Sequence, residues 1–170
     1  MPHRLDCMTE RPLWAPWRLQ YIVSDKDSDC IFCAAAKGEE AHAKWLVDRG
    51  ERCFTILNTF PYAPGHIMVA PLRHVAELED LDEEEGGELL ELARRAVSAL
   101  RSAMSPHGFN IGLNLGEVAG AGIADHLHLH VVPRWQGDNN FMPVLADTRV
   151  MPQALEATKG ALVEALAGVA

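Results

Sequence analysis

The run His-Leu-His-Leu-His-Val-Val-Pro-Arg at residues 126–134 constrains the fold more than any other part of the chain. In an extended strand, alternate side chains point to the same face. The three imidazoles would therefore lie about 7 Å apart on one face and the aliphatic residues on the other. A helix would scatter the imidazoles around its axis. The run predicts a β-strand with one face in the core and a histidine-lined functional face. The alternatives are a metal-binding strand or histidines kept for packing.

The composition indicates one globular domain. A chain of 170 residues with 48% hydrophobic content can bury a single core. No apolar stretch approaches the ~20 residues that span a bilayer, and the N-terminus lacks the apolar segment of a signal peptide. We therefore expect a soluble, cytoplasmic protein with no membrane partner. The net charge of −9 argues against a nucleic-acid surface. It does not exclude a small phosphorylated substrate, which backbone N–H groups, imidazoles and a few arginines can bind.

The order of the elements predicts an α+β domain with an antiparallel sheet. Residues 1–28 are expected to form an irregular N-terminal extension, and residues 29–170 a single domain. Three segments have the pattern of helices, the first ending at Gly38: 30–37, 81–104 and 152–168. Four segments have the pattern of strands: 53–58, 66–71, 109–115 and 126–133.

A glycine-rich loop at 116–122 leads directly into the histidine run. Its three glycines and small neighbours permit a backbone with positive φ and a close approach by a ligand. Successive N–H groups in such a loop can form a site for an anion. Beside three imidazoles, this loop indicates phosphate binding.

The four cysteines are Cys7, Cys30, Cys33 and Cys53. Because no export signal is evident, the Cys30-x-x-Cys33 pair is interpreted as a metal site or redox pair rather than a disulfide. The alternative is two small buried residues on a short helix. Cys7 and Cys53 have no visible partner in the sequence.

The motifs resemble those of the histidine triad superfamily of nucleotide hydrolases and transferases. Residues 126–132 match its His-φ-His-φ-His-φ-φ signature, where φ is a hydrophobic residue. The likeness extends to 64–74, which begins Pro-Gly-His, to 110–116, and to Cys30-Ile-Phe-Cys33, so that it covers residues 29–135. It implies a histidine-triad-like fold, with an antiparallel sheet, one long helix, a short N-terminal helix and a C-terminal helix.

The resemblance implies covalent catalysis at the second histidine of the run. In family members this residue, here His128, attacks the α-phosphorus of a nucleoside phosphate ester, and water or another acceptor then cleaves the nucleotidyl-histidine. A neutral imidazole is a competent nucleophile because its ordinary pKa is about 6.5. His130 would stabilise developing charge or supply a proton.

Two asparagines and the glycine loop take the positions of the family's nucleotide-binding residues. Asn58 stands where many members have a ribose-binding acidic residue, and an amide keeps an acceptor while adding donors. Asn114 matches an Asn that positions the nucleotide or the nucleophile. The chain lacks the serine that many members place just before the triad. Phosphate contact is therefore assigned to the backbone of the loop, at Gly120, Gly122 and Ile123.

The cysteine pair offers the spacing that structural zinc favours, and two histidines would complete a tetrahedral set. In zinc-bearing members these histidines lie at the positions of His74 and His126. The resemblance therefore implies a structural zinc held by Cys30, Cys33, His74 and His126. The other histidines, His3, His42, His66 and His107, are expected at the surface or in turns, with His66 serving packing at the start of a strand.

The flanking segments are similar to a bacterial branch that includes diadenosine tetraphosphate phosphorylases. Residues 13–22 resemble its Trp-x-Pro-aromatic-Arg-x-x-Tyr-Ile opening, and 133–144 its Pro-Arg-Trp-x-Gly-Asp stretch. The first segment would cover the sheet or a subunit interface, or contact substrate. Arg18 and Arg134 are candidate phosphate partners or simple surface charges. No role is assigned to Asp125.

Three functions are compatible with these features. Membership of this branch implies a nucleotidyl transferase that cleaves diadenosine tetraphosphate with inorganic phosphate to ATP and ADP. The second is a hydrolase of dinucleoside polyphosphates or adenosine phosphoramidates, and the third is a non-catalytic, zinc-containing nucleotide-binding protein. The family likeness also implies a homodimer or higher homo-oligomer.

Overall fold

The computed structural model describes residues 30–138 and 154–169. Four helices are described: α1 Ile31–Lys37, α2 Glu40–Ala43, α3 Glu83–Met104 and α4 Leu155–Ala167. Five strands are described: β1 Leu46–Arg49, β2 Cys53–Leu57, β3 Ile67–Pro71, β4 Gly108–Leu113 and β5 Leu129–Arg134. Short 3₁₀ turns lie at Leu78–Asp80 and Glu117–Ala119. Segment 13–22, with Arg18, and residues 139–144 lie outside the described residues.

The strands form one antiparallel sheet in the order β1-β2-β3-β5-β4. The predicted α+β class with an antiparallel sheet is therefore confirmed. None of the helices in the described ranges has the length and apolarity needed to cross a bilayer.

The apolar side chains of the sheet alternate between its two faces, and each face packs in a separate cluster. On one face, residues of β2, β3 and β5 pack with α3 and α4 in the main core, including Leu57, Val69 and Val131. On the other face, Phe54 and Met68 pack with Phe32 of α1 in a second cluster. His130 is paired with Met68 and so belongs to this second face. The predicted division of the histidine run between a core face and a functional face is observed at β5.

The histidine run is less regular than a continuous strand from residue 126. Strand β5 starts only at Leu129, so His126 and His128 lie just before it. The backbone N–H of Leu127 donates to the carbonyl of Val75 at 2.6 Å instead of to a neighbouring strand. The segment that follows β3 therefore holds this part of the run, and the predicted strand 126–133 begins three residues too early.

Helix α3 closes the main core and begins with a capping box. The Asp82 carboxylate accepts the N–H of Glu85 at 2.7 Å, and the Glu85 carboxylate accepts the N–H of Asp82 at 3.1 Å. This reciprocal cap starts the helix at residue 83, two residues after the predicted start.

Two elements, α2 and β1, are not predicted by the sequence patterns. Each has only four residues, and the pairing of β1 shifts register between Leu46 and Asp48, so neither shows a clear period.

Candidate functional site

A cleft of about 700 Å³, open to solvent, lies on the α1 side of the sheet. Its walls are mainly apolar: Ile31, Phe32, Trp45, Ile56 and Met68. Its polar lining includes Asn58, His128 and His130, and the glycine loop contributes Gly120, Gly122 and Ile123. A concave apolar pocket with a few convergent polar groups is typical of a small-molecule site.

His128 is held in one tautomer by the backbone of the preceding histidine. It is buried, and its Nδ1 lies 2.8 Å from the carbonyl oxygen of His126. A carbonyl can only accept, so Nδ1 carries the hydrogen and Nε2 of the neutral ring keeps its lone pair. Burial lowers the pKa of His128 below its ordinary value, although the bond to the His126 backbone opposes this effect. The neutral ring required of a nucleophile is therefore favoured.

His130 is oriented through a chain of hydrogen bonds that runs through His66. The backbone N–H of Tyr62 donates to Nδ1 of His66 at 3.1 Å, so Nε2 of a neutral His66 carries the hydrogen. That nitrogen lies 2.9 Å from Nδ1 of His130, which must accept. Nε2 of neutral His130 then carries a hydrogen that can be donated into the cleft. The Asn114 atom that lies 3.4 Å from this nitrogen is Nδ2, itself a donor, so it does not accept that hydrogen. The arrangement suits a group that donates a proton or hydrogen bond.

The expectation that His66 lies at the surface is wrong, whereas its expected packing role at the start of a strand is observed. His66 is fully buried, and its ring stacks on Tyr62 with the centroids 4.7 Å apart. It is also hydrogen-bonded on both nitrogens. The alternation of β3 indicated this burial. Ile67 and Val69 pack in the main core, so His66 and Met68 must face the opposite side of the sheet, where Met68 packs in the second cluster.

The glycine loop lies beside the two histidines. Gly120, with φ of 88°, ends the 3₁₀ turn Glu117–Ala119 in the left-handed region, which favours glycine. Asn58 also lines the cleft. Its side-chain oxygen accepts the backbone N–H of Phe60 at 2.8 Å, and its amide nitrogen lies 3.2 Å from Nδ1 of His66. The structure thus brings together the predicted loop residues and Asn58.

The four predicted metal ligands converge at the other end of the histidine run. The donor atoms of Cys30, Cys33, His74 and His126 all lie within 4.8 Å of one another. Cys30 Sγ and Cys33 Sγ lie 3.2 and 3.6 Å from Nδ1 of His126, and Cys33 Sγ lies 3.2 Å from Nδ1 of His74. Ligand separations of about 3.5 Å are those of tetrahedral zinc with bonds of 2.0–2.3 Å. The residues therefore fit a metal ion.

The surroundings of this four-ligand centre support the fit. Nε2 of His126 lies 2.9 Å from the carbonyl oxygen of Pro71, which places the hydrogen on Nε2 and leaves Nδ1 free to bind a metal. Burial lowers the pKa of His126 and raises the pKa of the Cys30 thiol to about 11. Binding a cation would offset the cost of a buried thiolate. Asp125, for which the sequence suggested no role, lies 3.9 Å from Nε2 of His74.

A model of the HIT domain family matches residues 39–137, more than half of the chain. The chain belongs to the HIT family. A protein from Mycobacterium tuberculosis named AP-4-A phosphorylase is 41% identical, with the alignment covering 86% of this chain and 80% of that protein. Because the relative is this similar over most of both chains, the present HIT protein is also an enzyme.

Solved structures agree with this assignment. A Zn-bound histidine triad family protein from Mycobacterium smegmatis is 32% identical and superposes with a TM-score of 0.68, covering 83% of this chain and 95% of that one. A histidine triad nucleotide-binding protein from Sulfolobus tokodaii has a TM-score of 0.67 over 82% of this chain and 93% of its own, but at 23% identity it supports the fold alone.

Two predicted substrate residues of this HIT protein, Asn114 and Arg134, do not line the cleft that the described residues form. Asn114 lies close to His130 instead. The Arg134 guanidinium contacts both carboxylate oxygens of Asp138, at 2.6 and 2.9 Å, and donates to the Asn110 side chain at 2.9 Å. The hydrogen bond and the charge of Asp138 raise the pKa of Arg134 above its ordinary value, although burial opposes this effect. Sequence reasoning also missed His42, which does line the cleft.

Proposed function

We propose that this protein is a nucleotidyl transferase that cleaves diadenosine tetraphosphate with inorganic phosphate to ATP and ADP. The observation that carries the proposal is the 2.8 Å contact between Nδ1 of His128 and the His126 carbonyl, which leaves Nε2 as the lone-pair nitrogen of a ring lining the cleft. The 41% identity to an AP-4-A phosphorylase supports the choice of substrate.

The first step makes a covalent bond to His128. With a nucleoside moiety against the apolar walls, the lone pair of Nε2 attacks the α-phosphorus, and the bond from that phosphorus to the bridging oxygen breaks. AMP remains on His128 while ATP leaves. The Nε2–H of His130 would donate a hydrogen bond to the leaving oxygen. This role is supported by the contact with His66, because Nδ1 of His130 accepts there and the ring hydrogen is therefore on Nε2.

The second step transfers AMP to phosphate. An oxygen of inorganic phosphate attacks the same phosphorus, the P–N bond to His128 breaks, and ADP leaves with the ring restored. Because water at ~55 M outnumbers millimolar phosphate, the acceptor must be bound and oriented. The loop that carries Gly120, Gly122 and Ile123 is the candidate for that second anion site, since its backbone borders the cleft beside both histidines.

Product analysis separates this function from its alternatives. Diadenosine tetraphosphate is incubated with and without phosphate, and the nucleotides are resolved by anion exchange. ATP plus ADP, formed only with phosphate, is the expected result. ATP plus AMP at a rate indifferent to phosphate would replace the transferase by a hydrolase. Binding without turnover in either condition would leave only a nucleotide-binding protein.

We propose zinc as the metal of the four-ligand centre. The two-cysteine, two-histidine set and its ligand separations favour zinc, and the neighbour from Mycobacterium smegmatis is described as Zn-bound. When bound, the ion would supply a structural cross-link between α1, the segment after β3 and the histidine run. Elemental analysis of protein purified without chelators should find about one zinc per chain. Maintaining the cysteines as thiolates also fits a reducing compartment, which we propose is the cytoplasm.

We further propose a homodimer formed through β4. Among the described residues this strand is the last in the sheet, so one side of its backbone has no partner strand there and could pair with a second copy. Ile111 of β4 is 52% exposed, which would add apolar contact to such pairing. Light scattering after size-exclusion chromatography should give twice the chain mass, and Ile111→Lys should shift the mass toward the monomer. A monomeric wild-type protein would contradict the dimer.

A further inference from the structure

Phe32 lies between the four-ligand centre and the nucleotide cleft. In the sequence it is flanked by the ligands Cys30 and Cys33, and in the structure its ring is fully buried. The ring centroid is 5.1 Å from that of His126 and 4.8 Å from that of His128. The same side chain also lines the cleft. One ring therefore contacts a candidate metal ligand, the candidate nucleophile and the substrate space.

The backbone provides a second connection between the two sites. The carbonyl that fixes the tautomer of His128 belongs to His126, whose own ring offers Nδ1 to the metal position and places Nε2 near Pro71. A movement of His126 on loss of a metal would therefore disturb the hydrogen bond that holds His128.

Within the described residues, helix α1 is held by its packing, its cysteines and a hydrogen bond from Arg49 to the carbonyl of Ala36 at 3.0 Å. It has seven residues and no side-chain cap at its N-terminus. A helix of this length is not stable by itself. Its first turn carries Ile31 and Phe32, which form one wall of the cleft. Ligation through Cys30 and Cys33, on either side of these two residues, would fix that wall.

We propose that Phe32 is a positioning residue that couples occupancy of the four-ligand centre to the orientation of His128 and to nucleotide binding. The inference rests on the proposed function in one respect, that the ligand of the cleft is a nucleotide. Coupling between two binding sites is reciprocal, so nucleotide binding must alter the metal centre by the same free energy that the metal contributes to nucleotide binding.

The test uses cobalt as a spectroscopic substitute for the metal and AMP as the ligand. Co²⁺ bound by thiolates absorbs in the visible, and its bands report the ligand geometry. In Co²⁺-loaded wild-type protein, saturating AMP should shift the visible bands and raise the Co²⁺ affinity, measured against a chelator, about tenfold. In Phe32→Leu, with one Co²⁺ still bound, the band shift and the gain in Co²⁺ affinity on adding AMP should both be clearly smaller than in wild-type protein, because only the His126 backbone connection remains.

Phe54→Leu is the matched control. Phe54 is also fully buried in the second cluster, with its ring centroid 6.4 Å from that of Phe32, but it does not line the cleft. Phe54→Leu removes the same volume from the cluster, but the shift of the visible bands and the gain in Co²⁺ affinity on adding AMP should be as large as in wild-type protein. Unchanged bands in AMP-saturated wild-type protein, or equal responses in Phe32→Leu and Phe54→Leu, would overturn the coupling.

A second measurement needs no nucleotide. The ring ¹⁵N signals of His128 are recorded in the metal-loaded proteins at a pH where the imidazoles are neutral. We expect sharp signals of a single Nδ1-protonated tautomer in wild-type and Phe54→Leu. In Phe32→Leu we expect the same tautomer with broadened signals, because the ring loses its packing against Phe32 but keeps the His126 carbonyl. Identical signals in all three would overturn the role of Phe32. A failure to bind AMP would contradict the one point taken from the proposed function, that the cleft binds a nucleotide, and the ¹⁵N result would still decide the role of Phe32.

Discussion

Replacing His66 by Phe tests whether a hydrogen-bond chain sets the proton of His130. Phe keeps a planar ring that can stack on Tyr62, as His66 does at 4.7 Å. The substitution removes the donor 2.9 Å from Nδ1 of His130 and the acceptor of the Tyr62 backbone N–H. His130 could then carry its hydrogen on either nitrogen, and only one of the two tautomers would donate into the cleft.

The magnitude follows from one lost orienting hydrogen bond at a buried site. A buried polar group left without its partner costs about 1–3 kcal/mol. Since 1.4 kcal/mol corresponds to a factor of ten, kcat should fall by about 5- to 150-fold. KM should change little, because Nδ1 of His130 faces His66 rather than the substrate. The unfolding free energy should fall by about 1–3 kcal/mol because the Tyr62 N–H also loses its partner.

The assay is steady-state cleavage of diadenosine tetraphosphate with phosphate, with folding checked by urea unfolding. His107→Phe is the control, since Nδ1 of this exposed histidine also accepts a backbone N–H, from Gln136 at 2.8 Å, away from the cleft. His66→Gln, which can donate and accept, should recover part of kcat. If folded His66→Phe kept wild-type kcat, the argument that His66 fixes the proton of His130 would be refuted.

Three further predictions concern the nucleophile, the metal and the acid stability. His128→Ala should reduce turnover below a few per cent while AMP binding, measured by calorimetry, persists, and a larger residual rate would exclude His128 as the nucleophile. Chelation, or Cys33→Ser, should remove bound zinc and lower the Tm; an unchanged Tm after confirmed metal loss would contradict a structural role. Glu88→Gln should lower the unfolding free energy at neutral pH by about 2–4 kcal/mol, since its carboxylate accepts the backbone N–H groups of residues 51–53 at 2.6–3.0 Å. Burial alone raises the pKa of Glu88, but these N–H groups hold it below its ordinary value. The stabilisation is therefore present above the ordinary pKa, and urea unfolding should show the difference between the variants shrinking as the pH falls through the lowered pKa.

The sequence determined the features that depend on local spacing. Alternation in the histidine run predicted a core-facing and a pocket-facing side, and the apolar spacing of 81–104 predicted a helix observed at Glu83–Met104. The Cys-x-x-Cys pair and the motifs of the family were sufficient to name four residues whose donor atoms do converge. These predictions succeeded because the period of a strand or helix, and the spacing of a motif, are contained in a short stretch of chain.

Only the tertiary structure decided the pairings between distant segments. The contact of His66 with His130 joins residues 64 positions apart, and no local pattern shows which side chain will face a given imidazole. Arg134 matched a motif, but Asp138 and Asn110 engage its charge. Phe32, an ordinary apolar residue in sequence, contacts both His126 and His128 because α1 packs against the histidine run. Such contacts arise from the packing of whole elements, so the sequence identified the chemical groups while the fold determined which of them act on one another.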